Sequence, residues 1–157
     1  MSNDLRSVLR AAFPPRPITQ RVLTDLQGAW EAYDDSALFE TAVRDRTWDS
    51  LDKHVLERHA SAIIYLGDRA FAQLLPAYLL YLVDNEGYGE VQYTVAAVLT
   101  RKTNPLQLRT FSRRVRGLSA TQRAAVEQVL QSQVRGHREE MMTAALESYW
   151  RDDNASI

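Results

Sequence analysis

Phe71-Ala72-Gln73-Leu74-Leu75-Pro76-Ala77-Tyr78-Leu79-Leu80-Tyr81-Leu82 is the stretch on which the fold turns. Phe71, Leu74, Leu75, Tyr78, Leu79 and Leu82 recur at steps of three and four, so a helix gathers them into one stripe, whereas a strand scatters them over both faces. Pro76 sits inside the stripe. An interior proline costs roughly 3 kcal/mol through a lost hydrogen bond and a ring clash, so a kink, or two abutting helices, is expected there. Gly67-Asp68 breaks the chain before this segment and caps it, and Asp84-Asn85-Glu86-Gly87-Tyr88-Gly89 forms a loop after it.

Towards the N-terminus, Leu51, Val55, Leu56, Ala62, Ile63 and Leu66 keep the helical period and predict one helix that starts at Thr47 or Asp49. A short helix is expected over 36–45 after the turn and cap signal Asp34-Asp35-Ser36. Thr19 is read as the cap of a helix through about Tyr33, weakened at Gly28, with Val22, Leu26, Ala29, Trp30 and Tyr33 on one side. The chain opens with a short amphipathic helix carrying Leu5, Val8, Leu9, Ala12 and Phe13. Pro14-Pro15-Arg16-Pro17 ends it in an extended connector.

Towards the C-terminus, Val91 to Leu99 reads as a helix, with a strand as the alternative because of its β-branched residues. Asn104-Pro105 is a cap followed by a first-turn proline and starts a helix over 105–116, which Gly117 closes. Ser119-Ala120-Thr121-Gln122 has the spacing of a capping box. From it one long last helix is expected to near Trp150, bent at Gly136, followed by a frayed tail over 152–157. These segments predict a single all-α domain over 1–157, an irregular bundle of about seven helices.

Composition bounds the function. The 45% hydrophobic and 25% charged residues are ordinary for a globular chain. There is no cysteine, which removes disulfides, thiolate metal sites and a cysteine nucleophile and points to a reducing, cytoplasmic setting. The first residues, broken by Asp4, Arg6 and Arg10, lack the apolar core of a signal peptide, and the apolar run Leu74 to Val83 is about half the length of a bilayer span. No membrane partner is expected. The net charge is −1, but from Val91 to Val126 the chain has no Asp or Glu, while Arg101, Lys102, Arg109, Arg113, Arg114, Arg116 and Arg123 are all cationic. That asymmetry marks a candidate binding face.

Trp48-Asp49-Ser50-Leu51, Ala70-Phe71, Leu75-Pro76-Ala77-Tyr78-Leu79 and Leu118-Ser119-x-x-Gln122, in this order, resemble an uncharacterised family of small bacterial helical domains. The likeness spans roughly residues 9–135. It implies an α-helical domain of unknown function and supplies no catalytic residues. The Arg-rich stretch 101–116 is not part of that pattern.

No reaction centre is legible. His54 and His59 lie five apart, which is neither of the helical steps that put two metal ligands on one face. His137 beside Glu139 and Glu140 lacks the second carboxylate-histidine helix of a di-metal bundle. Calcium-loop spacing over Asp84 to Glu90 would place Tyr88 and Val95 at ligand positions. Nucleophile-elbow and phosphate-loop patterns are absent, so no cofactor, metal or catalytic residue is assigned. Trp30, Trp48, Tyr78 and Tyr81 read as core aromatics before they read as a pocket, although Tyr81 falls off the 71–82 stripe and is a candidate for exposure.

The arginines carry the one functional expectation. Arg109, Arg113 and Arg116 share a helix face, and with Arg114 they form the candidate partner-binding set. Internal pairing with Glu139, Glu140 or Glu147 of the last helix explains them equally well. The expected function is a non-catalytic protein-interaction domain, of the immunity or accessory kind, with one protein partner. A nucleic-acid-associated protein using 101–116 is the alternative, disfavoured by an acidic chain and the lack of interleaved aromatics.

Overall fold

The computed structural model describes residues 2–24, 30–135 and 139–150, and every regular element among them is helical. In chain order these are α1 (Ser2–Ala12), α2 (Gln20–Thr24), α3 (Ser36–Val43), α4 (Lys53–Arg58), α5 (Ala62–Tyr65), α6 (Asp68–Asp84), α7 (Glu90–Leu99), α8 (Pro105–Arg116), α9 (Ala120–Arg135) and α10 (Glu139–Ala145). Two 3-10 turns, Trp30–Ala32 and Trp48–Ser50, and a π turn, Leu146–Trp150, complete them. Leu26, Gly28, Ala29, His137 and the expected frayed tail lie outside the described residues.

Pro76 does not split α6, which runs unbroken through it. The predicted stripe is buried throughout, and Pro76, Ala77 and Leu80 are buried as well, so the middle of the helix is enclosed on every side. A helix apolar all round belongs at the centre of a bundle. Accordingly α1, α2, α4, α5, α7, α8, α9 and the Trp48 turn all contact α6. Packing on every side, rather than local propensity, is what outweighs the proline.

The buried polar atoms of this core find specific partners. The Tyr78 hydroxyl, at the heart of α6, donates to the His59 carbonyl at 2.8 Å. The His59 ring is itself buried, with Nδ1 2.8 Å from the Tyr33 hydroxyl and its face against Phe39. Trp48 Nε1 donates to the Phe13 carbonyl and Trp150 Nε1 to the Leu99 carbonyl, both at 2.7 Å. Trp30 Nε1 donates to Glu40 at 2.8 Å. Trp30, Trp48 and Tyr78 are thus core aromatics, as expected, and Tyr81, off the stripe, is half-buried with its hydroxyl on Glu57.

Local capping is as read at two starts. Asn104 Oδ1 accepts from the Leu106 amide at 3.0 Å ahead of Pro105. Ser119 and Gln122 form the reciprocal box, at 2.9 and 3.1 Å. Val91 to Leu99 is helix, not strand.

Two expectations are corrected. The single helix drawn from Thr47 or Asp49 to Leu66 is a 3-10 turn and two short helices, with Asp52 capping α4 through the His54 amide at 2.7 Å and a turn at His59-Ala60-Ser61. The long last helix is divided: α9 ends at Arg135, and α10 packs back against both α9 and α7.

Leu75 and Leu79 are both fully buried, so replacing either by Ala is expected to cost about 2–5 kcal/mol, measured as a lowered urea midpoint. His59 gives a second test. Burial first, and then the Arg58 charge, hold its pKa below the ordinary 6.5, with Asp35 opposing. The unfolded chain therefore takes up the proton first, and stability is lost as the pH falls below about 6.5 through the lower folded value. His59→Gln should flatten the fall in urea midpoint between neutral and mildly acidic pH; parallel profiles for the two proteins would remove His59 as its source.

Candidate functional site

The four candidate arginines do not act together. All lie on α8, where Arg109, Arg113 and Arg116 share a face as their spacing predicted, while Arg114 is turned about 100° from Arg113. Arg109 and Arg116 are exposed. Arg113 is half-buried and its Nε donates to Asp68 Oδ2 at 3.1 Å, so its carboxylate partner stands at the start of α6 and not on the last helix. Arg114 is the departure: it is buried, which corrects its placement in an exposed partner-binding set.

Arg114 is a tie between helices. Its guanidinium donates to the carbonyls of Ile64 at 2.7 Å, Leu66 at 3.1 Å and Ile63 at 3.5 Å, around the end of α5. Carbonyls at a helix end lack intrahelical donors and attract positive charge, so a cation satisfies both needs at once. The same group lies 4.7 Å from the centroid of the Phe71 ring, a cation–π contact that adds α6 to the junction. Burial pushes its pKa down to about 10, with Asp68 opposing and Arg113 adding to the fall, and it stays a cation at neutral pH. Arg114 Nε and Asp68 Oδ1 are buried without hydrogen-bond partners among the described residues.

Beside this junction, α5, α7 and α8 enclose a cleft of about 370 Å³. Ile64, Leu66, Ala97, Val98 and Phe111 give it apolar walls, and Tyr65, Gln107 and Thr110 contribute polar groups. Lys102, Arg113 and Arg114 bring three cations to the lining, and no described carboxylate lines it. Lys102 follows α7, and its ammonium donates to the Ala97 carbonyl at the end of that helix. Burial lowers its pKa. Ile64, in the lining, is 46% exposed, and two further exposed apolar residues lie on the helices beside it, Tyr93 at 58% and Leu106 at 73%. Tyr93 is one helical step from Ala97, and Leu106 one step from Thr110, so both side chains stand on the faces that flank the cleft.

With that geometry in place the comparisons with known proteins can be set beside it. Residues 1–154 match the profile of a family described as "Family of unknown function (DUF6714)". The chain belongs to that family. As the motif resemblance implied, the family is one without an assigned function, so membership gives no residue a role. No curated protein and no solved structure matches the chain.

The histidines are far apart in character. His54 is exposed beside Glu57, at 3.2 Å, while His59 is in the core. His137 and the Glu139 side chain lie outside the described residues. No described helix is long and apolar enough to cross a membrane.

Of the cleft, sequence reading reached Lys102, Arg113 and Arg114 as members of the carboxylate-free stretch and missed Ile64, Tyr65, Ala97 and Thr110. Ile64 and Tyr65 fall within the longer helix that the apolar period predicts, and the contact of that segment with α8 is a long-range one that periodicity does not carry.

The arginines make a direct prediction. Arg114→Ala should lower the urea midpoint clearly more than Arg113→Ala, because it strips several charge-assisted bonds from buried carbonyls whereas a half-exposed ion pair is worth about 0.2–1 kcal/mol. Arg109→Ala and Arg116→Ala should leave the midpoint nearly unchanged.

Proposed function

We propose that the chain is a non-catalytic protein-interaction domain of the cytoplasm, of the immunity or accessory kind, which docks an acidic surface of one protein partner on the α7–α8 face. The observation that carries this reading is the cleft: three cations and no described carboxylate in its lining, with exposed Ile64 among the lining residues and exposed Tyr93 and Leu106 one helical step from Ala97 and Thr110. Aromatic and aliphatic anchors with arginine around them are the composition of protein–protein hot spots. Arg109 and Arg116, exposed on α8, extend the positive charge and steer an acidic partner towards it.

The nucleic-acid reading loses ground on this geometry. A phosphate-binding ridge needs free cations, and Arg114 is spent on backbone carbonyls while Arg113 is tied to Asp68. Apolar side chains stand where a polyanion would seek further charge.

A photo-crosslinking side chain introduced at Leu106 in living cells tests the proposal. One predominant protein adduct is expected, lost in the Arg109→Glu/Arg116→Glu double variant and not formed from the same group placed at exposed Gln128 on α9. Equal adducts from both positions, or nuclease-sensitive ones from Leu106, would overturn it.

A further inference from the structure

We propose that the cleft between α5, α7 and α8 is an anchor pocket for a short peptide segment in which one large apolar side chain stands next to a carboxylate, with Lys102 as the carboxylate's partner. This rests on the protein-interaction reading and specifies what the partner presents. At about 370 Å³ the cleft is near the lower end of the ~300–1,000 Å³ of ordinary ligand pockets, room for one side chain and its flanking groups, not for a helix laid along a groove. Ile64, Val98 and Phe111 supply apolar contact for that side chain from three different helical elements or their ends.

The charge assignment follows by elimination among the three cations. Arg114 has its guanidinium on the carbonyls of Ile64 and Leu66, and Arg113 has Asp68. Lys102 has one acceptor, the Ala97 carbonyl, and an ammonium carries three donors. No described carboxylate forms an ion pair with it. Its partial burial already disfavours the charged form, and an incoming carboxylate would offset that cost. Among the described residues Lys102 is thus the lining cation with donors to spare, and beside apolar walls it selects an acidic group adjacent to an apolar one. Gln107 and Thr110 stand on the same lining, where a peptide backbone needs donors and acceptors.

Fluorescence anisotropy with the full chain and three labelled pentapeptides tests this: Asp-Asp-Phe-Asp-Asp, Asp-Asp-Ser-Asp-Asp and Asn-Asn-Phe-Asn-Asn. The first is expected to bind most tightly. Lys102→Met should weaken it by about fivefold, the upper end for a pair of this exposure, and should remove the preference for Asp over Asn, while Lys102→Arg retains both. Ala97→Trp, a change at an exposed position of α7, should fill the cleft and abolish binding with the urea midpoint unchanged. Equal binding of the Phe and Ser peptides, equal binding of the Asp and Asn peptides, indifference to Ala97→Trp, or no binding of any peptide would each overturn the pocket. If the Leu106 adduct persists in those cases, the anchor pocket fails and the partner surface stands; if the adduct is lost too, both fail.

Discussion

The fold is arranged around a helix whose middle has no solvent side. From Leu74 to Leu80 every residue of α6 is buried, and Pro76 in that stretch leaves the helix weaker than its length implies. Such a segment is stable only when enclosed, and seven other helices with the Trp48 turn share the task, each covering one strip of α6. The single polar group that α6 carries into the centre, the Tyr78 hydroxyl, sets a further demand. It is met by a backbone carbonyl released at His59, where α4 ends and the chain turns. The break between α4 and α5 thus serves the core as well as the path of the chain.

How far the sequence discloses this depends on the range of the forces. The starts of α8 and α9 were legible because capping is settled within four residues: Asn104-Pro105 and Ser119-x-x-Gln122 hold their bonds irrespective of the rest of the molecule. The stripe in α6 was legible because a helical period exposes it, but burial of its other sides was not, since that depends on how many helices arrive. The break at His59-Ala60-Ser61 left no glycine or proline signal, and the apolar period happens to continue across it, so α4 and α5 read as one. Between α9 and α10 Gly136 does give a signal, that of a bend, but a run of correctly spaced apolar residues fits a bent rod and a folded-back pair alike.

The candidate site was half legible for a similar reason. A stretch without acidic residues is visible in one dimension, so the cationic character of the α7–α8 region was open to sequence reading. Which cation is free was not. Arg113 and Arg114 are neighbours in the chain, yet one meets Asp68 and the other the carbonyls of α5, because adjacent positions on a helix point about 100° apart. Charge counting treats them alike, while the packing gives them different work.

The position of Arg114 has an evolutionary consequence. It forms part of the cleft and also holds α5 to α8, so the wall of the site and the integrity of the bundle depend on one side chain. Ile64, Ala97 and Thr110 line the cleft without side-chain ties of that kind, so exchanging them leaves the junction of α5 and α8 in place. Arg114 has no such latitude, because its loss strands buried carbonyls. The cleft therefore joins one position fixed by the fold to neighbours free to diverge.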